Sequence, residues 1–417
     1  MTAPTAPPPQ REATARPAIP GWAQRAVGAL ALPIGSVILA FLIGAVIFGV
    51  SGNDPVLAYQ AMACGGFGIA CFAGETPALQ IANTVSFLTP LILSGLAVAI
   101  AFRAGLFNIG VQGQLIVGAI FATIVGQRLA SLPSLLLIPL VLLAGILGGA
   151  LWAGIAGVLK AFTGAHEVVT TIMLNYVAYN LLKFLLVNGP MQAPRSAEIS
   201  LPVGQNAQLP TFIPANATFF GQPGGAYHAD FSLFISLAAA VVFFFLIGRT
   251  ALGYEIRAVG QSQRAARYAG VSVRRTIIVT MLIAGAFAGL TGAEFIAGGS
   301  LHYLYTDMTI DSTGFNGIAV ALLGQNTAIG IVLSAILFGA LQAGGSVMQS
   351  DVNISSHIVE ILQAVILFTL AANFLRTLKL RIPGPGRKAA EAQGAEAVQD
   401  EVQAEVSSAA ADIEGTA

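Results

Sequence analysis

The run ALALPIGSVILAFLIGAVIFGV fills residues 29–50. About 22 residues without a charge exceed the 7–15-residue apolar region of a cleavable leader and suffice to cross roughly 30 Å of hydrocarbon. This run is therefore expected to stay as a membrane helix. Because a backbone in lipid must satisfy its own hydrogen bonds, further runs of this kind are helices and not strands. Nine follow, at 82–102, 107–126, 132–158, 167–188, 231–248, 276–297, 312–324, 328–349 and 355–375. The expected architecture is all-α: a polytopic membrane protein with about ten transmembrane helices over residues 29–375. Residues 1–28 and 376–417, poor in large apolar side chains, are expected to be disordered tails.

Working outward, the whole 417-residue chain agrees: 56% of residues are hydrophobic and 9% charged, against ~25% charged in soluble domains. Soluble enzymes are excluded as a class. Lys+Arg and Asp+Glu stand at 19 each, so no basic excess suggests nucleic acid. The 47 glycines suit helices that approach backbone to backbone in lipid. If the amino terminus is cytoplasmic, 16 of the 19 basic residues fall on the inner side, as the positive-inside rule requires. Both termini are then cytoplasmic, and 51–81 and 189–230 face outward. Cys64 and Cys71 lie in the first outer segment, where a disulfide and two small buried thiols are both open readings.

Several chemistries lack their residues. No Gly-Lys dipeptide occurs, so the chain has no Walker A phosphate cradle. His166, His228, His302 and His357 are scattered singly, and His166-Glu167 lacks the second histidine that a zinc helix needs. With no Gly-x-Ser-x-Gly elbow either, neither an enzyme nor a metal protein is expected. Transport is the class that remains.

Polar groups inside the membrane are costly and mark either paths or packing. The richest cluster is Phe102-Arg-Ala-Gly-Leu-Phe-Asn-Ile-Gly-Val-Gln-Gly-Gln114, where glycines let the chain bend and Asn108, Gln112 and Gln114 offer uncharged donors and acceptors. A broken helix with amides suits a neutral solute; amides as glue between helices is the competing reading. Gly314-Phe315-Asn316-Gly317 repeats the Phe-Asn pair with glycines in the second half, which points to an inverted repeat with a site between its halves. Asn175 and Tyr176 add an amide and an aromatic ring in the fifth span. Glu294 and Glu360 are the carboxylates expected within spans, both near span ends.

Residues 249–275 carry six arginines and one acid, Glu255. Within this basic loop Ala265, Ala266 and Ala269 form the small face of a short helix that Gly270 ends as a C-cap. That face is either a knob for the groove of another protein or part of a solvated helix at the lipid headgroups.

Three motifs together resemble the permease subunit of bacterial ATP-binding cassette importers, in the superfamily for monosaccharides, branched-chain amino acids and nucleosides. They are Phe107-Asn-Ile-Gly-x-x-Gly-Gln114, His166-Glu-Val-x-x-Thr-Ile-Met-Leu-Asn-Tyr176, and Arg257-Ala-Val-Gly260 with Ala265-Ala266-x-x-Ala-Gly270. The second is most like the nucleoside-type permeases, and the likeness covers roughly residues 25–380. The resemblance implies a bacterial inner or cytoplasmic membrane location, a pair of permeases (homo- or heterodimer), two separate ATPase subunits that bind the ATP, and an extracellular lipoprotein that delivers substrate. This chain would then need no cofactor of its own. The resemblance also implies that the family's coupling helix corresponds to Gly260, Ala265, Ala266, Ala269 and Gly270, which favours the knob. The sequence departs from the family where Gln112 and Asn316 replace acids and Ser262 replaces an Asn. Asn108, Gln112, Gln114, Asn175, Tyr176, Phe315 and Asn316 are the expected pathway residues for a nucleoside, with a sugar or another small polar solute as the alternative and an ion-coupled secondary transporter as a further one.

Overall fold

A computed structural model describes residues 21–72, 76–187, 189–194, 198–214, 217–298, 302–309 and 312–377. The termini expected to be disordered lie largely outside this set. Two compact units divide the chain at Leu370; of the second, only the closing turns of the last helix are described.

Each of the ten apolar runs is a helix. They are α1 (Gly21–Val50), α3 (Pro77–Arg103), α4 (Val111–Arg128), α5 (Ser134–Thr163), α6 (Glu167–Leu186), α7 (Ser232–Arg249), α10 (Val273–Ala297), α11 (Thr313–Leu323), α12 (Ala328–Asp351) and α13 (His357–Thr377). Seven are long and apolar enough to cross a membrane by length and composition, and α11 and the described apolar part of α13 are shorter. The remaining one, α4, carries Gln112 and Gln114 in its first turns.

Among the described residues three further α-helices lie between these runs: α2 (Pro55–Phe67), α8 (Ala251–Gln261) and α9 (Gln263–Tyr268). Local chemistry starts and stops α2. The Asp54 side chain accepts from the Val56 amide at 2.8 Å, Pro55 takes a first-turn position where no N–H is needed, and Gly68 closes the helix at φ +67°. Its buried face lies on α12, where a methyl built on Gly65 would stand 2.7 Å from the Ala343 carbonyl. At its end Cys64 and Cys71 form a disulfide, which decides between the two open readings.

The core rests on small residues. At one crossing α4, α5 and α10 meet at Gly118, Gly149 and Gly289, where a methyl on Gly118 or Gly149 would lie 2.5 Å from the Gly289 Cα. Backbones this close gain dispersion contacts that bulky side chains would forbid. The two halves interlock reciprocally: α10 packs on α4 and α5, and α3 packs on α11 and α12. That exchange is the contact pattern an inverted repeat produces. Between α6 and α7, residues 198–209 run along the connection from α10 to α11, with the Ser200 amide on the Leu304 carbonyl (2.9 Å) and the Val203 amide on the His302 carbonyl (2.9 Å). A two-residue ribbon pairs Thr218–Phe219 with Gln222–Pro223.

Candidate functional site

The chain leaves α3 at Arg103 and turns through Gly105, whose φ of +70° lies in the left-handed region. A helix that starts afresh at Val111 has unsatisfied amides in its first turn, and four side-chain amides serve this break. Asn108 and Gln114 exchange two hydrogen bonds, at 3.1 and 3.0 Å, and Asn108 Oδ1 also accepts from the Gly110 amide at 3.1 Å. Asn175 reaches across from α6, accepting from the Gly113 amide at 2.8 Å and donating to the Ile109 carbonyl at 2.9 Å. Gln112 crosses to the second half, donating to the Met308 carbonyl at 3.1 Å and accepting from the Gly314 amide at 2.8 Å. Asn108, Gln112 and Gln114 are all buried.

The other expected pathway residues stand apart from this lock. Asn316 is half-buried and donates to the Ser312 hydroxyl at 3.1 Å. Tyr176 and Phe315 are 63% and 45% exposed, so their rings face away from the chain's interior.

A cavity of about 530 Å³ opens among α3, α10, α12, α13 and the segments before α7 and α11. None of the seven expected residues is in its lining; Met308, Ser312 and Thr313 are, so Gln112 stands directly behind the wall. Four residues that sequence reasoning did not assign to a site are in that lining: Thr89, Asp230, Ser232 and Glu294. The Thr89 hydroxyl donates to Glu294 Oε1, the Ser232 hydroxyl lies 3.4 Å from that of Thr89, and the Ser232 amide donates to Asp230 Oδ1 at 2.8 Å. Glu294 was visible as a lone carboxylate in an apolar run, the signal that marks function inside a membrane. Glu360, the other expected intramembrane acid, is exposed in the first turn of α13 beside His357, at 3.5 Å.

The basic loop folds as two helices joined at Ser262, whose hydroxyl accepts from the Ala265 amide at 3.3 Å and so starts α9. Gly270 closes it at φ +83°, as the sequence predicts. The small face is divided: Ala266 is 3% exposed and belongs to the chain's own core, whereas Ala265, Ala269 and Gly270 are exposed and Tyr268 is 94% exposed beside them. This corrects the expectation that Ala265 and Ala266 present one knob, because successive residues of a helix point about 100° apart. Gly260 is pressed against the Arg103 carbonyl, and a methyl on it would lie 3.0 Å from the Ala104 carbonyl carbon. Arg103 in turn donates twice to the Asn326 carbonyl, at 2.7 and 3.0 Å. The loop therefore touches the helix break, and the break touches the far end of α11.

Known proteins are similar to this chain over most of its length. Residues 80–371 match the family described as branched-chain amino acid transport system / permease component. The guanosine ABC transporter permease protein NupP of Bacillus subtilis is 39% identical over 83% of this chain and 94% of its own length. The nucleoside ABC transporter permease protein NupB of Lactococcus lactis subsp. cremoris is 34% identical over 82% and 91%. The glucose ABC transporter permease protein TsgB13 of Haloferax volcanii is 34% identical over 88% and 92%. No solved structure matches. With one family matched from the third helix to the last, and relatives that align over nine-tenths of their own length, the chain belongs to the branched-chain amino acid transport system / permease component family.

Proposed function

We propose that this chain is the membrane-spanning permease subunit of an ATP-driven importer of nucleosides, and that cargo passes through the cavity between the two halves. The cavity carries this reading: its wall offers hydroxyls, amides, acids and the rings of Phe87, Phe295 and Tyr305, the groups that hydrogen-bond a ribose and stack on a base. Two relatives named for nucleosides or guanosine support it. Asn108, Gln112, Gln114 and Asn175 hold the helix break behind the wall. Asn316 borders the entrance to α11, and the exposed rings of Tyr176 and Phe315 suit a second permease subunit.

The chain performs no bond-breaking step and binds no ATP in this reading. Separate ATPase subunits grip the exposed Ala265, Ala269 and Gly270, and their closure reaches the cavity through Gly260, the 103–110 bend and Gln112. Alternating access then follows as a shift between two arrangements of the halves. An external binding protein delivers the nucleoside to the side of 51–81 and 189–230, and both termini are cytoplasmic. A sugar is the second reading, favoured by the relative named for glucose. Uptake of labelled nucleosides, glucose and branched-chain amino acids in a strain deleted for this chain tests the proposal. Loss of nucleoside uptake alone, restored by the gene, is the expected result; loss of glucose uptake alone refutes it.

A further inference from the structure

A carboxylate oxygen in the cavity wall has no hydrogen-bond partner among the described residues. Glu294 is 6% exposed and lines the cavity. Its Oε1 accepts from Thr89, while its buried Oε2 has no hydrogen-bond partner among the described residues. While ionised, Glu294 only accepts, and a buried acceptor without a donor is costly, so cargo that supplies N–H or O–H groups as the halves shift to open Oε2 completes the site. Two rings line the same cavity, Phe295 next to Glu294 in sequence and Phe87 two residues before its partner Thr89. Side chains such as Asn83, Ser86 and Gln342, also in the wall, both donate and accept, which suits the hydroxyls of a ribose.

Resting on the nucleoside reading, we infer that Glu294 selects cargo by the edge of its base, favouring bases with adjacent N–H donors as guanine has at N1 and its 2-amino group. Adenine sets an acceptor beside its amino group, uracil flanks its N–H with two carbonyls, and cytosine sets an acceptor beside its amino group. Each of these turns a lone pair toward the carboxylate where guanine turns a hydrogen. A site built around a hydrogen bond rejects analogues lacking it strongly, since the protein's own buried group is left unpaired.

Labelled guanosine and adenosine uptake is measured in cells keeping the native ATPase and binding protein, with wild-type permease or Glu294→Gln, and with membrane levels checked by immunoblot. The glutamine keeps the shape but replaces one acceptor by a donor. Guanosine uptake is expected to fall at least about ten-fold while adenosine uptake falls less than about three-fold. Equal losses of both, as a carboxylate on the shared ribose diol would give, overturn the inference, and so does an unchanged guanosine rate. The wild type supplies an independent reading. 1-Methylguanosine, in which a methyl group replaces the N1 hydrogen, should compete at least about ten-fold more weakly than guanosine, and equal competition overturns the inference even if Glu294→Gln is missing from the membrane. A wild type importing glucose and no nucleoside overturns the functional reading itself, a result distinct from either.

Discussion

Gln112 Oε1 accepts a hydrogen bond from the Gly314 amide at 2.8 Å, across 202 residues of sequence. One side chain thus ties the start of α4 to the start of α11, where the two halves face each other behind the cavity. Gln112→Leu removes this bond and the one to the Met308 carbonyl, leaving two buried backbone groups without partners at about 1–3 kcal/mol each. Asn316→Leu loses one bond at a half-buried position, worth about 1 kcal/mol or less. Thermal unfolding of the purified proteins in detergent should rank Gln112→Leu well below Asn316→Leu, and equal midpoints would count against the lock.

The glycine crossing predicts a contrast between identical substitutions. Gly149→Ala forces a methyl against Gly289 and should cost about 1–3 kcal/mol through overpacking. Gly49→Ala meets open space, and in a helix it should be neutral or stabilising by up to about 1 kcal/mol. Detergent unfolding midpoints of the two variants check the difference.

The inward turn of Ala266 changes what a test of the loop has to use. Ala266→Arg buries a charge in the chain's own core and should destabilise the permease, so its loss of uptake says nothing about a partner. Ala265→Arg points outward and should leave the fold intact while lowering ATPase copurification at least about ten-fold, by overlap in a close-fitting groove. A loop that merely sits at lipid headgroups tolerates another arginine, so unchanged copurification of Ala265→Arg would refute the gripping role.

Much of this fold is legible in the sequence because the constraint of lipid acts locally: a run such as 29–50 needs no partner to be read as a helix. The helix α2 escaped that reading, since 13 residues mixing Tyr59 and Gln60 with small residues cannot span a membrane and carry no clear stripe. The amide cluster at 108–114 is visible as a cluster. Its partners are not, because Gly314 and Asn175 arrive from 202 and 62 residues away. Glu294 was noticeable as an acid in an apolar run, but only the tertiary fold brings Thr89, Asp230 and Ser232 around it.

Topology has its own check. In the orientation proposed from the positive-inside rule, 189–230 lies outside and 249–275 inside, and Gln205 and Gln263 are both exposed. Gln205→Cys should react with an impermeant thiol reagent added to intact cells and Gln263→Cys only after permeabilisation. The native cysteines are joined in a disulfide, so they stay silent without reductant. Labelling of both positions from outside would overturn the orientation.

ATP-driven nucleoside import is tested by transport through the purified permease, reconstituted in proteoliposomes with its ATPase and binding protein. Labelled guanosine should accumulate only when ATP is supplied on the ATPase side, and labelled glucose should not accumulate. Accumulation driven by an ion gradient without ATP, or ATP-driven uptake of glucose in place of guanosine, would contradict the account.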